Sequence, residues 1–219
     1  MRILGAFVAC LVLASSANAA ITITFEGLVD PTSNGFLGIN PDNPPGAAID
    51  FADDDGGLIT FTGGGGNAAE FVAVADPDNA GVGTAFAFNS TEYLGLFDTP
   101  SPGSTPSVVI SGSNPLTLID FDFGLTSAGQ AAGTVEFTFD YVDANTASEN
   151  FAINAPAAPT SALSLAQFQG IDLTGLSSIT IEATTDVGLD NFQFTAVPEP
   201  SSLGLLAVAG AGLLRRRRR

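Results

Sequence analysis

The sequence predicts an all-β protein, specifically an antiparallel β-sandwich and, for about this number of strands, a jelly roll. Two observations carry that reading. Short alternations of apolar and polar residues, rich in Val, Ile, Thr and Phe, recur from residue 20 to residue 197, and no stretch longer than about ten residues keeps a helical period. Clusters of Gly, Pro and Asx separate those alternations, at Pro41–Gly46, Gly63–Gly66, Asp76–Gly81, Pro100–Pro106 and Pro156–Pro159. Residues 20–197 are long enough for one domain with a sizeable core.

In chain order, strands are expected at 21–25, 58–62, 70–75, 84–88, 93–97, 107–111, 116–123, 134–142, 150–154, 178–184 and 189–196. The first places Ile21, Ile23 and Phe25 on one face. Two pairs read as hairpins. Ser178–Thr184 and Leu189–Ala196 flank Thr185-Asp186-Val187-Gly188, which suits a short turn. Leu116–Phe123 and Thr134–Val142 flank the Gly124–Gly133 loop. In this second pair Ile119, Phe121 and Phe123 share one face, as do Val135, Phe137, Phe139 and Tyr141, so both sets read as core. One short helix is expected near Leu163–Gln169. The 17 phenylalanines are the main aromatic material of the core.

Charge is distributed in an unusual way. The six basic residues are Arg2 and Arg215–Arg219; no Lys, Arg or His lies between Ile3 and Leu214. All but one of the 23 carboxylates lie between Glu26 and Asp190, the exception being Glu199, so the body carries 22 acidic groups with no cationic side chain. Side-chain salt bridges cannot form there. Nucleic acid and anionic lipid are excluded as partners of the body, because phosphate neutralisation needs Lys or Arg. Self-repulsion destabilises such a domain, and divalent cations or salt would relieve it. Without His, Lys or Cys, the body cannot assemble Ser-His-Asp, Cys-His, Schiff-base or zinc–imidazole sites. Carboxylates, Tyr93 and Tyr141 are the only acid–base groups left.

Both ends read as sorting signals. Arg2, the apolar run Ile3–Leu13 and Ala17-Asn18-Ala19 form a signal peptide over residues 1–19, with the mature chain starting at Ala20 or Ile21. Cys10, the only cysteine, leaves with it, so the mature chain has no disulfide. At the other end stand Pro198-Glu199-Pro200, an apolar stretch from Leu203 to Leu214, and Arg215, Arg216, Arg217, Arg218 and Arg219. As a helix, that stretch of twelve residues is about 18 Å long, short of the ~20 residues that span a bilayer core unaided. The arginines would hold the C-terminus on the cytoplasmic side. This tail resembles the PEP-CTERM sorting signal of Gram-negative bacteria. The resemblance implies an exosortase-type membrane protease as partner, transient anchoring in the inner membrane through residues 203–214, and delivery to the cell surface or extracellular matrix. It covers residues 198–219 and does not bear on what the body does.

Candidate sites in the body are carboxylates. The opening segment Ile23-Thr24-Phe25-Glu26-Gly27 and the closing segment Leu189-Asp190-Asn191-Phe192 resemble the terminal strands of galactose-binding-like jelly rolls, which include many carbohydrate-binding modules. The resemblance implies that Glu26 and Asp190, with loop carbonyls, hold a structural Ca²⁺, an ion that takes six to eight oxygens at ~2.3–2.6 Å. The alternative is that both are ordinary surface carboxylates. The acidic run Asp50–Gly57 has Phe51 where a calcium loop needs a ligand, and Asp76–Gly81 fails at Ala80; both read as solvated loop charge. Asp120, Asp122, Glu136 and Asp140 alternate onto the outward faces of the second expected hairpin. In register they would bring two carboxylates to ~5 Å, the spacing of a retaining glycosidase or a metal site; a solvated sheet face is the plainer reading. Asn89-Ser90-Thr91 matches a glycosylation sequon and reads as a loop.

The expected function is that of an exported, non-catalytic structural or adhesive protein; the resemblance to PEP-CTERM proteins implies contact with exopolysaccharide, and the resemblance to galactose-binding-like jelly rolls implies assistance by calcium. A glycan-active hydrolase using a carboxylate pair is the alternative. A lectin-like module presenting Tyr93 or an exposed Phe beside Asn and Asp on a concave sheet is a third reading.

Overall fold

The computed structural model describes residues 20–30, 35–39, 48–52, 57–64, 71–77, 91–97, 105–125, 132–153 and 165–196. The signal-peptide, sorting-tail and 84–88 strand expectations lie outside these residues. Eleven strands are present among the described residues: β1 (Ile21–Ile23), β2 (Phe36–Gly38), β3 (Ile49–Ala52), β4 (Leu58–Gly64), β5 (Phe71–Ala75), β6 (Tyr93–Phe97), β7 (Ser107–Leu125), β8 (Gly133–Tyr141), β9 (Thr146–Ile153), β10 (Leu176–Ala183) and β11 (Val187–Ala196). Every pairing is antiparallel. The expected short helix is a single 3₁₀ turn, Leu165–Gln167.

The strands form two layers that share β7. The first half of β7 pairs β4 on one side and β10 on the other, giving a layer in the order β3-β4-β7-β10-β8-β9. Its second half pairs β11, giving a layer in the order β2-β5-β6-β11-β7. Between Ser111 and Leu116 the ladder with β10 slips: four residues, Gly112-Ser113-Asn114-Pro115, stand opposite Ser177 alone. That surplus lets the strand turn the corner from one sheet to the other. A Cβ on Gly112 would lie 2.5 Å from the Asn114 carbonyl oxygen, so the corner needs glycine there.

Alternation dictates the core. Along β4, β8 and β10 every second residue is buried, including Ile59 and Phe61, Phe137 and Phe139, Ile179 and Ile181. These meet Phe121, Phe123, Phe192 and Phe194 from the opposite layer in one apolar cluster. Phe61 lies edge-on to Phe192 at 5.4 Å, and Phe121 approaches Phe137 at 5.6 Å. Phe168, just after the 3₁₀ turn, closes the end between Phe137, Phe139 and Phe151. The connections β2–β3, β4–β5, β6–β7, β7–β8 and β10–β11 all cross between layers, and the first and last strands pair with each other. The antiparallel sandwich, rolled up in jelly-roll fashion, is the architecture observed.

Both expected hairpins are corrected. β10 and β11 do not pair: β7 lies between them, and residues 184–186 cross from one layer to the other. Thr184 instead bonds back to Thr134 at the head of β8. Likewise 116–123 does not pair 134–142, because β10 is the neighbour of β8. In both cases the partner differs from the expected one, since a buried face can be covered from across the sandwich as well as from an adjacent strand. The expected core set of 116–123 is also corrected: Ile119 is exposed and Leu118 is buried with Phe121 and Phe123, because the β7–β11 register shifts beside Asp120. The expected strands 107–111 and 116–123 are the two arms of β7 on either side of its corner. β9 begins four residues earlier than expected, and β2 and β3 were not foreseen, β3 taking up Asp50-Phe51-Ala52 from the acidic run.

Candidate functional site: an acidic junction on the last strand

β6 and β1 share one edge of β11. The β6 ladder ends at Leu189↔Leu94, and the β1 ladder begins at Phe192↔Ile23. Asp190 and Asn191 mark the gap between them. Glu26 leaves the end of β1, and Glu92 enters β6. One step beyond the β5–β6 pair Ala75↔Tyr93, Asp76 falls across from Glu92. Four carboxylates from four segments therefore lie in one neighbourhood, where the charges of Glu92, Asp190 and Asp76 all act on Glu26.

A bulge re-aims the site. On the opposite edge of β11, Asp190↔Asp122 and Gln193↔Asp120 bracket two residues on β11 against one on β7. Asn191 has φ +51°, a left-handed conformation that Asn tolerates better than most residues. The bulge keeps Leu189 and Phe192 both in the core and places Asp190 on the other face. Asp190 is nonetheless 2% exposed. One of its oxygens accepts the Asn191 N–H at 2.8 Å, and the other accepts the Thr91 hydroxyl at 3.2 Å. Asn191 donates its side-chain amide to Asp122 at 2.7 Å, so both members of the Asp190–Asp122 cross-strand pair are engaged.

Glu92 has a structural task of its own. Its Oε2 accepts the N–H groups of Leu28 (2.8 Å) and Val29 (3.1 Å), just after the turn at Gly27, where φ is +75°. These charge-assisted bonds tie the segment following β1 to the head of β6. Glu26 is exposed, and its carboxyl is held above the ordinary glutamate range. Partial desolvation is the main cause; the charges of Glu92, Asp190 and Asp76 add to it, against a backbone hydrogen bond from Glu92.

The oxygen-only donors and mutually repelling charges of this junction suit Ca²⁺. Among the described residues, however, no three acidic side chains converge closely enough to hold an ion together. Glu26 and Asp190 would thus need backbone carbonyls and water to complete six to eight ligands.

The other sequence candidates fare differently. Asp120 and Asp122 face β11, across from Gln193 and Asp190. Glu136 and Asp140 stand on β8, across from Glu182 and Ser178. The four do not form one cluster, because β10 separates β8 from β7. Tyr93 is fully buried, packed with Ala73, Ala75 and Phe97, and no sugar can stack on it. Its phenol is pushed well above the usual range by burial, with Asp186 adding. Tyr141 donates its hydroxyl to the Asp172 carbonyl at 2.7 Å. Glu92 and Asp76 were not singled out together in the sequence. The available signal was a lone acidic residue at the entry of one strand and another at the exit of its neighbour, which acquires meaning once both strands are placed beside β11.

The fold and the site define an all-β antiparallel sandwich with an acidic junction between its terminal strands. Residues 196–219 match the PEP-CTERM protein-sorting motif, so the chain carries the address of exported, exosortase-processed proteins. No curated protein matches the chain in sequence. Among solved structures, the carbohydrate-binding module CBM28, specific for non-crystalline cellulose, is similar at 15% identity and TM-score 0.34, covering 56% of this chain and 79% of that one. The CBM22-1 xylan-binding domain from Paenibacillus barcinonensis Xyn10C is similar at 15% identity and TM-score 0.35, covering 85% of this chain and 99% of that one. The Clostridium thermocellum xylanase 10B modules, complexed with xylohexaose, are similar at 10% identity and TM-score 0.34, covering 83% of this chain and 29% of that one. Among the described residues no helix is long and apolar enough to cross a membrane.

Proposed function

We propose that this chain is an exported, non-catalytic protein of the cell surface or extracellular matrix, organised as signal peptide (1–19), sandwich domain (20–197) and sorting tail (198–219). Its role is structural or adhesive, through contact with exopolysaccharide. The observation that carries this reading is the sorting motif at residues 196–219, joined to a body whose only acid–base side chains are carboxylates and two tyrosines. Tyr93 is buried, and the Asp190–Asp122 pair is engaged in holding the bulge. Calcium between Glu26 and Asp190 would join the end of β1 to the middle of β11 and lower the repulsion among the four junction carboxylates.

The test is fractionation of a Gram-negative, exosortase-bearing host expressing the full-length chain, with Glu199→Ala and an exosortase deletion alongside. Wild type is expected in the surface and matrix fraction, and both alterations should hold it in the inner membrane. Equal delivery in all three strains refutes the sorting half of the proposal. Release of polysaccharide fragments by the purified chain refutes the non-catalytic half.

A further inference from the structure

The outer face of the β3-β4-β7-β10-β8-β9 layer is mostly polar, with Val109 as an apolar member of its second row. A single row crosses all six strands in register: Asp50, Thr60, Ser111, Ser178, Asp140 and Thr146. The next row has Thr180 and Thr138 at its centre, and the third opposes Glu182 to Glu136. All of these are half-buried or exposed, while most of their chain neighbours in β4, β8 and β10 are buried in the core, Ser177 and Tyr141 being half-buried. At ~4.8 Å between strands the full row is roughly 24 Å long. No aromatic side chain belongs to any of the three rows.

Hydrogen bonds orient this face. Thr60 donates its hydroxyl to Asp50 at 2.6 Å. Ser178 and Thr146 donate theirs to the two oxygens of Asp140, at 3.0 and 2.9 Å. With those three hydroxyl protons turned into carboxylates, Thr60, Ser178, Thr146 and the carboxylates of Asp50 and Asp140 are left as acceptors, while the hydroxyls of Ser111, Thr138 and Thr180 can donate or accept. The matching partner supplies donors. Phosphate, sulfate and uronate groups are acceptors, and they are repelled by a body with 22 carboxylates and no cation. Sugar hydroxyls donate and carry no charge.

We propose that this face is the polysaccharide-binding surface and that its ligand is a neutral polymer laid across several strands. The inference rests on the exopolysaccharide reading above and specifies its site and its charge class. Without a stacking platform, each sugar contributes little. Grip comes from many hydroxyl contacts along the chain, so a long polymer is held and a disaccharide is not.

The experiment measures retention of the full-length chain, in mild detergent, on amorphous cellulose, polygalacturonate and chitosan, with cellobiose as competitor. The variant Thr138→Val/Asp140→Asn/Thr180→Val alters the centre of the face. It is compared with Ser113→Ala/Asp143→Asn, which changes positions outside the three rows. Wild type should bind cellulose, ignore polygalacturonate and resist cellobiose; the triple variant should bind roughly tenfold more weakly, the loss of one to two net hydrogen bonds. Should the triple variant unfold, Thr180→Arg, which lays a bulky side chain over the face, serves the same purpose. Unchanged binding by the face variants places the surface elsewhere and leaves the polysaccharide reading standing. Stronger retention on chitosan that the variants do not alter overturns the proposal in favour of general attraction to polycations. Preference for polygalacturonate overturns the charge class, and retention on none of the three overturns both readings together.

Discussion

Phe192→Ala is the sharpest test of how the sandwich is held. The ring is 1% exposed and sits where the two layers meet. It contacts Phe61 at 5.4 Å and Phe25 at 6.4 Å edge-on, and stacks on Phe121 at 5.8 Å and Phe194 at 5.9 Å. Truncating a buried phenylalanine costs about 3–5 kcal/mol, combining lost transfer energy with the cavity left behind. Four ring partners, each with some interaction beyond area burial, put the expected value in the upper half, about 4–5 kcal/mol. The surrounding rings belong to four different segments, so the cavity cannot collapse by moving one strand. For a domain of this size each kcal/mol shifts Tm by roughly 2–4 °C, so a fall of about 8–20 °C is expected. The assay is urea unfolding of the full-length chain followed by circular dichroism, with a thermal melt alongside. Val142→Ala, at an exposed position, is the control and should change stability by less than about 0.5 kcal/mol. A loss below about 2 kcal/mol for Phe192→Ala would refute the reasoning, because it would mean that these rings do not lock the layers together.

Gly95→Ala drives a Cβ into the Phe97 ring, which also lies edge-on to Phe36 at 5.6 Å. A loss of about 1–3 kcal/mol is expected, and Phe97→Leu should recover part of it in a double-mutant cycle. Because the Glu26 carboxyl is raised in the folded protein, the native state holds more protons than the unfolded chain above the ordinary value of 4.5, and stability falls as pH rises from there. Tm should therefore climb as pH falls toward the ordinary carboxylate value of 4.5, and Glu26→Gln should flatten part of that slope. If calcium joins Glu26 to Asp190, Ca²⁺ at a hundredfold excess over its Kd adds about 2.7 kcal/mol, roughly 5–11 °C, and Asp190→Asn abolishes the gain; an equal, unsaturating rise with Mg²⁺ would mean screening alone. Asn191→Ala should cost about 1–2 kcal/mol through left-handed strain and the lost bond to Asp122, whereas Asn191→Gly should cost less, both read by urea unfolding.

The sequence by itself determined what depends on residue type and local pattern. The sorting tail was legible as Pro198-Glu199-Pro200, an apolar stretch and five arginines. The exclusion of nucleic acid follows from a body with no Lys, Arg or His. The inward-facing phenylalanines of β4 and β8 follow from period-two alternation; in β7 and β11 the period slips, so that Leu118 and Phe121, and Leu189 and Phe192, are buried together and Ile119 is left exposed. Alternation does not state which strand lies alongside, and that choice belonged to the tertiary structure. Thr185–Gly188 looked like a hairpin turn but leads from one layer to the other, because β7, arriving from far away in the chain, takes the place beside both β10 and β11. Asp190 shows the same division. Its residue type and its position in the last strand were visible from the start. Its burial depends on a bulge at Asn191 and on cover from Thr91, nearly a hundred residues earlier. Glu92 and Asp76 enter the site for the same reason: charges far apart in sequence share a field only once non-local strand pairing has brought their segments to one edge.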